Sequence, residues 1–261
     1  MTSRIYRVCQ PLNLKNTNYS TILLNGPKQS SFLTPNQIIY WQQASNRITV
    51  DGGYNIFANQ KAKPSNNFLK DPEFIFLGDS DSIRKEDCHF LKNQPDISSK
   101  IIKAKDQNMT DFEKCLKILQ PNFMPEIYVL HWANIDRLDH WLSFFHTLNK
   151  YSHLKIQMVF ENKLDNCTNI LFCLPRNGTH KIEIEPEIFS QKDENKKLYC
   201  GLFAFSEKSG SAETSGLKYN LNFEDELGIS GLCSSSNEIV DETVDINVGD
   251  RNLFFTVSIK A

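Results

Sequence analysis

Residues 47–55, RITVDGGYN, and residues 73–83, EFIFLGDSDSI, decide how the first half of the chain is read. In each, a short apolar run leads directly into glycine and aspartate: residues 47–50 into Asp51, Gly52 and Gly53, and residues 73–77 into Gly78, Asp79, Ser80 and Asp81. Such runs, alternating with helix-like segments, argue for parallel strands joined by crossover helices. Residues 21–24 and 127–130 read as two further strands. Between Thr110 and Leu119 the apolar residues Phe112, Cys115, Leu116 and Leu119 recur at helical spacing and define one face of an amphipathic helix. Thr110 and Glu113 supply its capping box.

Beyond Lys155 the helical period stops and short β-rich runs recur at 155–160, 169–174, 181–185, 199–205, 228–233, 243–248 and 253–259, which suits a β-sandwich or a barrel. The charged stretch 191–197 reads as a loop between strands. The expected plan is an α/β domain over residues 1–160 followed by an all-β domain over residues 161–261.

Composition narrows the function. With 40% hydrophobic and 11% aromatic residues the chain buries a sizeable core. Its 29 basic and 31 acidic side chains nearly cancel, and no stretch gathers enough Lys and Arg for a phosphate backbone, which argues against nucleic acid. No signal-peptide core follows Arg4 and Arg7, and no window approaches the ~20 apolar residues of a membrane span. Neither a membrane nor a secreted setting is expected, and the reading is a cytoplasmic protein. The seven cysteines are scattered without a C-x-x-C pair, so reduced and mostly buried thiols are expected. The N-x-S/T sequons at Asn18, Asn108, Asn166 and Asn177 then reflect an asparagine-rich composition.

Asp51, the Asp79 and Asp81 pair and Asp111 are the candidate chemical groups. In open α/β sheets ligands bind outside the carboxyl ends of the strands, where the first three of these lie. Asp79 and Asp81 are two residues apart, so in extended backbone they face the same way and can share a hard cation, for which Mg²⁺ is the natural candidate. Taken singly, each segment has a bland reading: G-D-x-D-S as an acidic turn, D-G-G as a strand end, and Asp111 as a charge favourable to a helix N-terminus. The chain has no G-x-x-x-x-G-K-S/T loop, G-x-G-x-x-G fingerprint or G-x-S-x-G elbow, which removes support for P-loop kinases, dinucleotide dehydrogenases and nucleophile-elbow hydrolases. The neighbours Cys88 and His89 read as structural, because adjacent side chains seldom face one another.

Taken together and in order, these segments resemble the thiamin pyrophosphokinase family, most closely its eukaryotic branch. The family pattern L-N-x-P, D-G-G-A-N, G-D-F-D-S-I and D-Q-x-x-T-D-F-x-K-C-L appears at residues 24–27, 51–55, 78–83 and 106–116. Its later segments C-G-L, G-L-K-W-N-L and S-T-S-N are similar to residues 200–202, 216–221 and 234–237. The resemblance implies a Rossmann-like α/β catalytic domain and a C-terminal β-sandwich for thiamine binding and dimerisation, working as a homodimer with active sites at the subunit interface. It implies Mg²⁺, with ATP as co-substrate and thiamine as acceptor. By position Asp79, Asp81 and Asp111 match the catalytic and metal carboxylates. Asp51, Gly52, Gln107, Thr110, Arg137 and Asp139 match the ATP and phosphate site, and Ser234, Ser236 and Tyr219 match the thiamine pocket.

Departures from the pattern are local. Residues 131–140, HWANIDRLDH, keep Arg137 and Asp139 but lack the family's glycines, so side chains stand where backbone N–H groups would approach phosphate. Tyr54 replaces alanine, Ser80 phenylalanine and Tyr219 tryptophan; an aromatic ring at 219 suits either a flat heterocycle or a strand core. The expected reaction is pyrophosphoryl transfer from ATP to thiamine, giving thiamine diphosphate and AMP. The alternatives are a catalytically weakened sensor or inactive partner of the same fold, and a different metal-dependent phosphotransferase or hydrolase.

Overall fold

The computed structural model describes residues 2–14, 17–26, 32–61, 74–78, 81–93, 101–104, 106, 108–120, 125–132, 137–162, 167–191, 197–206 and 209–260. They form two compact units: Leu14–Thr147 with Met158–Glu161, and Met1–Asn13 with Leu148–Gln157 and Asn162–Ala261.

In the first unit, β2 (Tyr19–Leu23) is buried at every position, the mark of a parallel strand covered on both faces. It pairs in parallel with β6 (Glu126–Trp132) on one side and β3 (Asn46–Val50) on the other. Beyond β3 come β4 (Phe74–Gly78) and β5 (Ile101–Lys103), again parallel. The chain therefore lays strands outward from β2 in one direction, then returns to its other side. Strand order 6-2-3-4-5 puts every carboxyl end at one edge of the sheet, which is where an α/β sheet gathers ligands.

The crossover helices obey local rules. α1 (Pro35–Gln43) opens on Thr34 and Gln37, which cap one another's backbone, with Pro35 at the first helical position. Its last turn is closed by Arg47, whose guanidinium donates to the carbonyls of Trp41 and Gln42, both at 2.6 Å. α2 (Gly53–Lys61) follows β3, and α3 (Lys85–Asn93) follows the turn after β4. α4 (Asp111–Leu119) buries Phe112, Cys115, Leu116 and Leu119, the face its spacing predicts. α5 spans Leu138–Lys150, and β7 spans Ile156–Asn162.

The second unit is a β-sandwich. One sheet runs β1 (Thr2–Val8), β9 (Gly178–Ile184), β13 (Thr243–Val248) and β11 (Ala212–Ser215). The other contains β12 (Ser234–Glu238), β10 (Tyr199–Phe203), β14 (Leu253–Lys260) and β8 (Cys167–Leu174) as antiparallel neighbours. Tyr6, Phe172, Ile182, Val244, Ile246 and Phe255 are fully buried in one apolar cluster, the inner layer expected of two packed sheets. The Tyr6 ring lies 4.9 Å from Phe172, and its hydroxyl donates to the Cys173 carbonyl at 3.0 Å.

Two sequence expectations change. The first residues belong to the β-sandwich rather than to the α/β part, because β1 pairs in parallel with β9 along its length. Arg4 fixes it further by donating to the carbonyls of Ser152, His153 and Leu154. The strand expected at 228–233 is instead a turn, closed by Leu232 N–H donating to the Glu226 carbonyl at 2.7 Å. Gly228 and Gly231 permit that turn, and pairing resumes one residue later in β12. The stretch 192–196 of the expected 191–197 loop lies outside the described residues. No helix among the described residues is long and apolar enough to cross a membrane.

Candidate active site

Asp51 is the centre of the acidic crevice. Its N–H donates to the Leu77 carbonyl at 2.8 Å, extending the pairing of β3 with β4 by one residue. The chain then turns at φ 42°, a left-handed conformation that aspartate tolerates better than most side chains. Gly53 must follow, since a β-carbon there would overlap the Leu23 carbonyl. The turn leaves the Asp51 side chain 1% exposed. Ser82 N–H donates to its Oδ2 at 3.2 Å, while Oδ1 is buried without a hydrogen-bond partner among the described residues. Burial pushes this carboxyl up to about 6 against the pull of the Ser82 hydrogen bond, and the charges of Asp111 and Asp81 and a hydrogen bond with Asp81 add to the rise.

Asp81 follows β4 on an exposed turn and accepts from the Ser82 hydroxyl at 2.8 Å. Asp111 is the first residue of α4 and accepts from Lys114 Nζ at 2.9 Å. The Lys114 side chain is 4% exposed, so its stem is buried and its charge is spent beside the crevice. Thr110 is the N-cap of this helix, its hydroxyl accepting from Glu113 N–H at 3.2 Å. Gly52 is buried, with the Asn25 side chain lying across it. The structure thus brings Asp51 within reach of the charges of both Asp81 and Asp111. Asp79 and Gln107 lie outside the described residues, as do residues 133–136 of the loop lacking the family glycines. Arg137 donates through Nε to Asp139 Oδ1 at 3.1 Å and through Nη2 to Oδ2, so these two engage each other on the surface at the start of α5. Their mutual hydrogen bonds raise the arginine and lower the aspartate.

A hard cation needs oxygen ligands with free lone pairs in a negative setting. The partnerless Oδ1 of Asp51, beside two further carboxylates, fits that need. Among the described residues no three acidic, histidine or cysteine side chains stand close enough to form a complete cage. Oxygens from a bound phosphate or from water would have to complete the coordination, the usual arrangement for Mg²⁺.

The β-sandwich carries a second polar site. Asn237 is 2% exposed; its Oδ1 accepts from Tyr219 N–H at 3.1 Å and its Nδ2 donates to the Tyr219 carbonyl at 2.8 Å. One buried amide therefore grips both backbone groups of Tyr219. The Tyr219 ring itself is 64% exposed, which settles the alternative left by its residue type: it is not a strand-core side chain. Lys218 Nζ stands 5.6 Å from the ring centre. Two residues before Glu238, Ser236 sits at φ 58°, and the β10–β12 register shifts between Cys200 and Leu202 opposite it. Backbone strain of this kind costs about 1–3 kcal/mol and gathers at ligand sites. Ser236 is exposed and Ser234 half-buried.

Sequence reading passed over the asparagines that hold these sites. Asn237 and Asn55 look like turn residues in the chain, and only their contacts show them gripping a distant backbone. Tyr54, noted as a departure, is buried, its ring 5.6 Å from Phe57 and 6.0 Å from Phe76. The alanine-to-tyrosine change thus fills core behind the crevice.

Acidic side chains at the carboxyl ends of a parallel sheet mark that edge as a ligand site, and the matches to known proteins give the class, a transferase of the kinase kind with two domains in one chain. The comparisons agree in both halves. The model of the thiamin pyrophosphokinase catalytic domain matches residues 39–160, and that of the thiamin pyrophosphokinase vitamin B1 binding domain matches residues 179–253. Thiamine pyrophosphokinase 1 of Oryza sativa subsp. japonica is 28% identical over 85% of this chain and 82% of its own. Thiamine pyrophosphokinase 2 of Arabidopsis thaliana is 27% identical over 94% and 87%. In fold, the chain is similar to thiamin pyrophosphokinase from Candida albicans, with TM-score 0.73 and 19% identity over 98% of this chain and 93% of that one. The chain belongs to the thiamin pyrophosphokinase family.

Asp51 gives a pH dependence of stability. Its folded-state carboxyl titrates above its ordinary 3.8, so the folded protein gains stability as pH falls toward and through about 6 and loses it as pH rises. Asp51→Asn, which keeps an acceptor for Ser82 N–H and tolerates the left-handed turn, is expected to stabilise the metal-free protein at pH 8 by up to about 3 kcal/mol. At pH 5 the gain shrinks to about half. Urea unfolding in chelator at the two pH values measures it; a gain independent of pH contradicts the buried-charge origin.

Proposed function

We propose that this protein transfers the pyrophosphoryl group of ATP to the hydroxyl of thiamine, giving thiamine diphosphate and AMP. The observation that carries the reading is the pairing of the two family matches with two sites: the catalytic match spans the carboxylate crevice, and the vitamin B1 match spans the Asn237-held loop that exposes Tyr219.

The thiamine hydroxyl attacks the β-phosphorus of ATP in line, the bond to the α-phosphate oxygen breaks, and AMP leaves with that oxygen. Both outer phosphates move together and no covalent enzyme intermediate forms. Positioning and charge neutralisation supply most of the rate in such transfers. Bound Mg²⁺ would neutralise phosphate charge, held through Asp79, Asp81 and Asp111, with Asp51 and Gln107 lining the same polar site. Thr110 and Gly52 would shape the phosphate site by fixing the turns that carry Asp111 and Asp51. Arg137 would turn from Asp139 toward phosphate. In the sandwich, Tyr219 would offer its exposed ring to a cationic heterocycle, with Ser234 and Ser236, on the same strand as the Asn237 that grips the Tyr219 backbone, as hydroxyl partners.

A homodimer belongs to the same proposal. Phe223, Ile229 and Leu232, exposed at 50%, 77% and 43%, fall within two successive turns of the sandwich, residues 222–225 and 226–232, and a second copy would cover such apolar side chains. A cytoplasmic setting belongs to the same proposal, as expected of seven cysteines scattered without a C-x-x-C pair.

Purified protein with ATP and Mg²⁺ is expected to release AMP only when thiamine is added, with matching thiamine diphosphate, and Asp81→Asn is expected to remove nearly all of it. AMP release indifferent to thiamine would point to a hydrolase; full activity in the variant would remove Asp81 from the metal site. Ser236→Ala is expected to raise KM for thiamine several-fold and leave KM for ATP unchanged; equal effects would place this serine outside the vitamin pocket. Sedimentation equilibrium is expected to give twice the 30.1 kDa chain mass, and a monomer at assay concentration contradicts the dimer.

A further inference from the structure

The segment that carries Asp81 has little regular structure of its own. Residues 81–83 form a bend between β4 and α3, and Ile83 is its only deeply buried side chain, at 8% exposure. A carboxylate on such a bend would wander unless the backbone beside it were fixed. One amide supplies two of the bonds that fix it. Asn55 Nδ2 donates to the Ser82 carbonyl at 2.8 Å, and Asn55 Oδ1 accepts from Arg84 N–H at 3.0 Å. The donor and acceptor of a single side chain thus pair with the carbonyl of one residue and the N–H of the next but one, as a neighbouring strand would.

The grip has a second point one helical turn away. Asn59 Oδ1 accepts from Arg84 Nη1 at 2.8 Å, and residues four apart share one face of α2. Arg84 Nε meanwhile donates to Asp87 Oδ2 at 2.5 Å, which ties the far end of the segment to α3. The Ser82 backbone is therefore held from both sides: its carbonyl by Asn55, its N–H by Asp51 Oδ2 at 3.2 Å. Whatever sets Ser82 sets Asp81, the preceding residue, relative to Asp51.

We infer that Asn55 is a positioning residue: by clamping the Ser82 carbonyl and the Arg84 N–H to α2, it places the Asp81 carboxylate beside Asp51 and thereby sets affinity for the divalent cation. The inference rests on the metal role proposed for Asp81. It differs from a packing role, because the half-buried Asn55 acts through two directed hydrogen bonds and fills little core.

Partners that orient metal ligands cost about 10–100-fold in metal affinity when removed. Asn55→Ala and Asn55→Leu are each expected to raise the Mg²⁺ concentration for half-maximal activity about ten-fold, with KM for thiamine within two-fold of the parent. Mn²⁺ binding to the ATP-free protein, followed by the loss of its free electron-paramagnetic signal, is expected to weaken by a similar factor. Leucine keeps the volume and suits a helix, so it reports on the hydrogen bonds even if the alanine variant fails to fold. Parental Mg²⁺ requirement and Mn²⁺ affinity in the leucine variant overturn the inference, as does a loss of turnover with Mn²⁺ binding intact. Asp81→Asn measured in parallel separates the two readings. If it loses Mn²⁺ while the Asn55 variants keep it, only the positioning role fails; if it too binds Mn²⁺ normally, the metal role of Asp81 fails.

Discussion

A carboxylate buried without enough partners is the constraint around which the α/β unit is arranged. Asp51 ends β3 in a left-handed turn, 1% exposed, with one oxygen satisfied by Ser82 N–H and the other by nothing among the described residues. Leaving a buried acceptor unsatisfied costs about 1–3 kcal/mol, and more for a charge. Turn strain adds to that cost. A fold retains such a feature when something bound relieves it, and a cation with phosphate oxygens relieves the charge and the missing partner together. The surrounding residues serve that arrangement: Gly53 admits the turn, Asn55 fixes the neighbouring bend, and Lys114 balances Asp111.

The β-sandwich solves a different problem with the same device. Its Tyr219 ring is held out from the surface, a position that burial would not choose for an aromatic group. Asn237 makes it possible by giving the Tyr219 backbone a buried partner for both its N–H and its carbonyl, so the ring is fixed without being covered. In both units a buried or half-buried asparagine substitutes for a strand neighbour where the chain leaves regular structure. The Asp81 carboxylate and the Tyr219 ring then sit on irregular backbone that a side chain from a helix or a strand holds in place.

Most of the fold was legible in the sequence because hydrophobic period and turn chemistry agree there. The parallel strands at Ile48 and Phe76, and the helix face of Phe112, Cys115, Leu116 and Leu119, emerge where expected. β1 was not legible as part of the sandwich: its pairing with β9 spans 176 residues between Arg7 and Glu183, and no local pattern records a partner so distant. The turn at 228–233 was misread because Ile229 and Leu232 look like strand residues, whereas the two glycines and the Glu226 carbonyl close a loop that leaves both exposed. At the site, residue types announced the aspartates. They were silent on Asn55 and Asn237, whose importance lies in what they touch.

The most direct test of this account is the titration of the Asp51 carboxyl itself, followed by carbon NMR on aspartate-labelled protein and assigned with Asp51→Asn. In metal-free protein a midpoint near 6 is expected, moving below the ordinary aspartate value once Mg²⁺ and ATP are added, since a bound cation favours the charged form. A midpoint near 4 in the free protein, or one that Mg²⁺ and ATP leave unmoved, would contradict the claim that this buried charge is built for a cation.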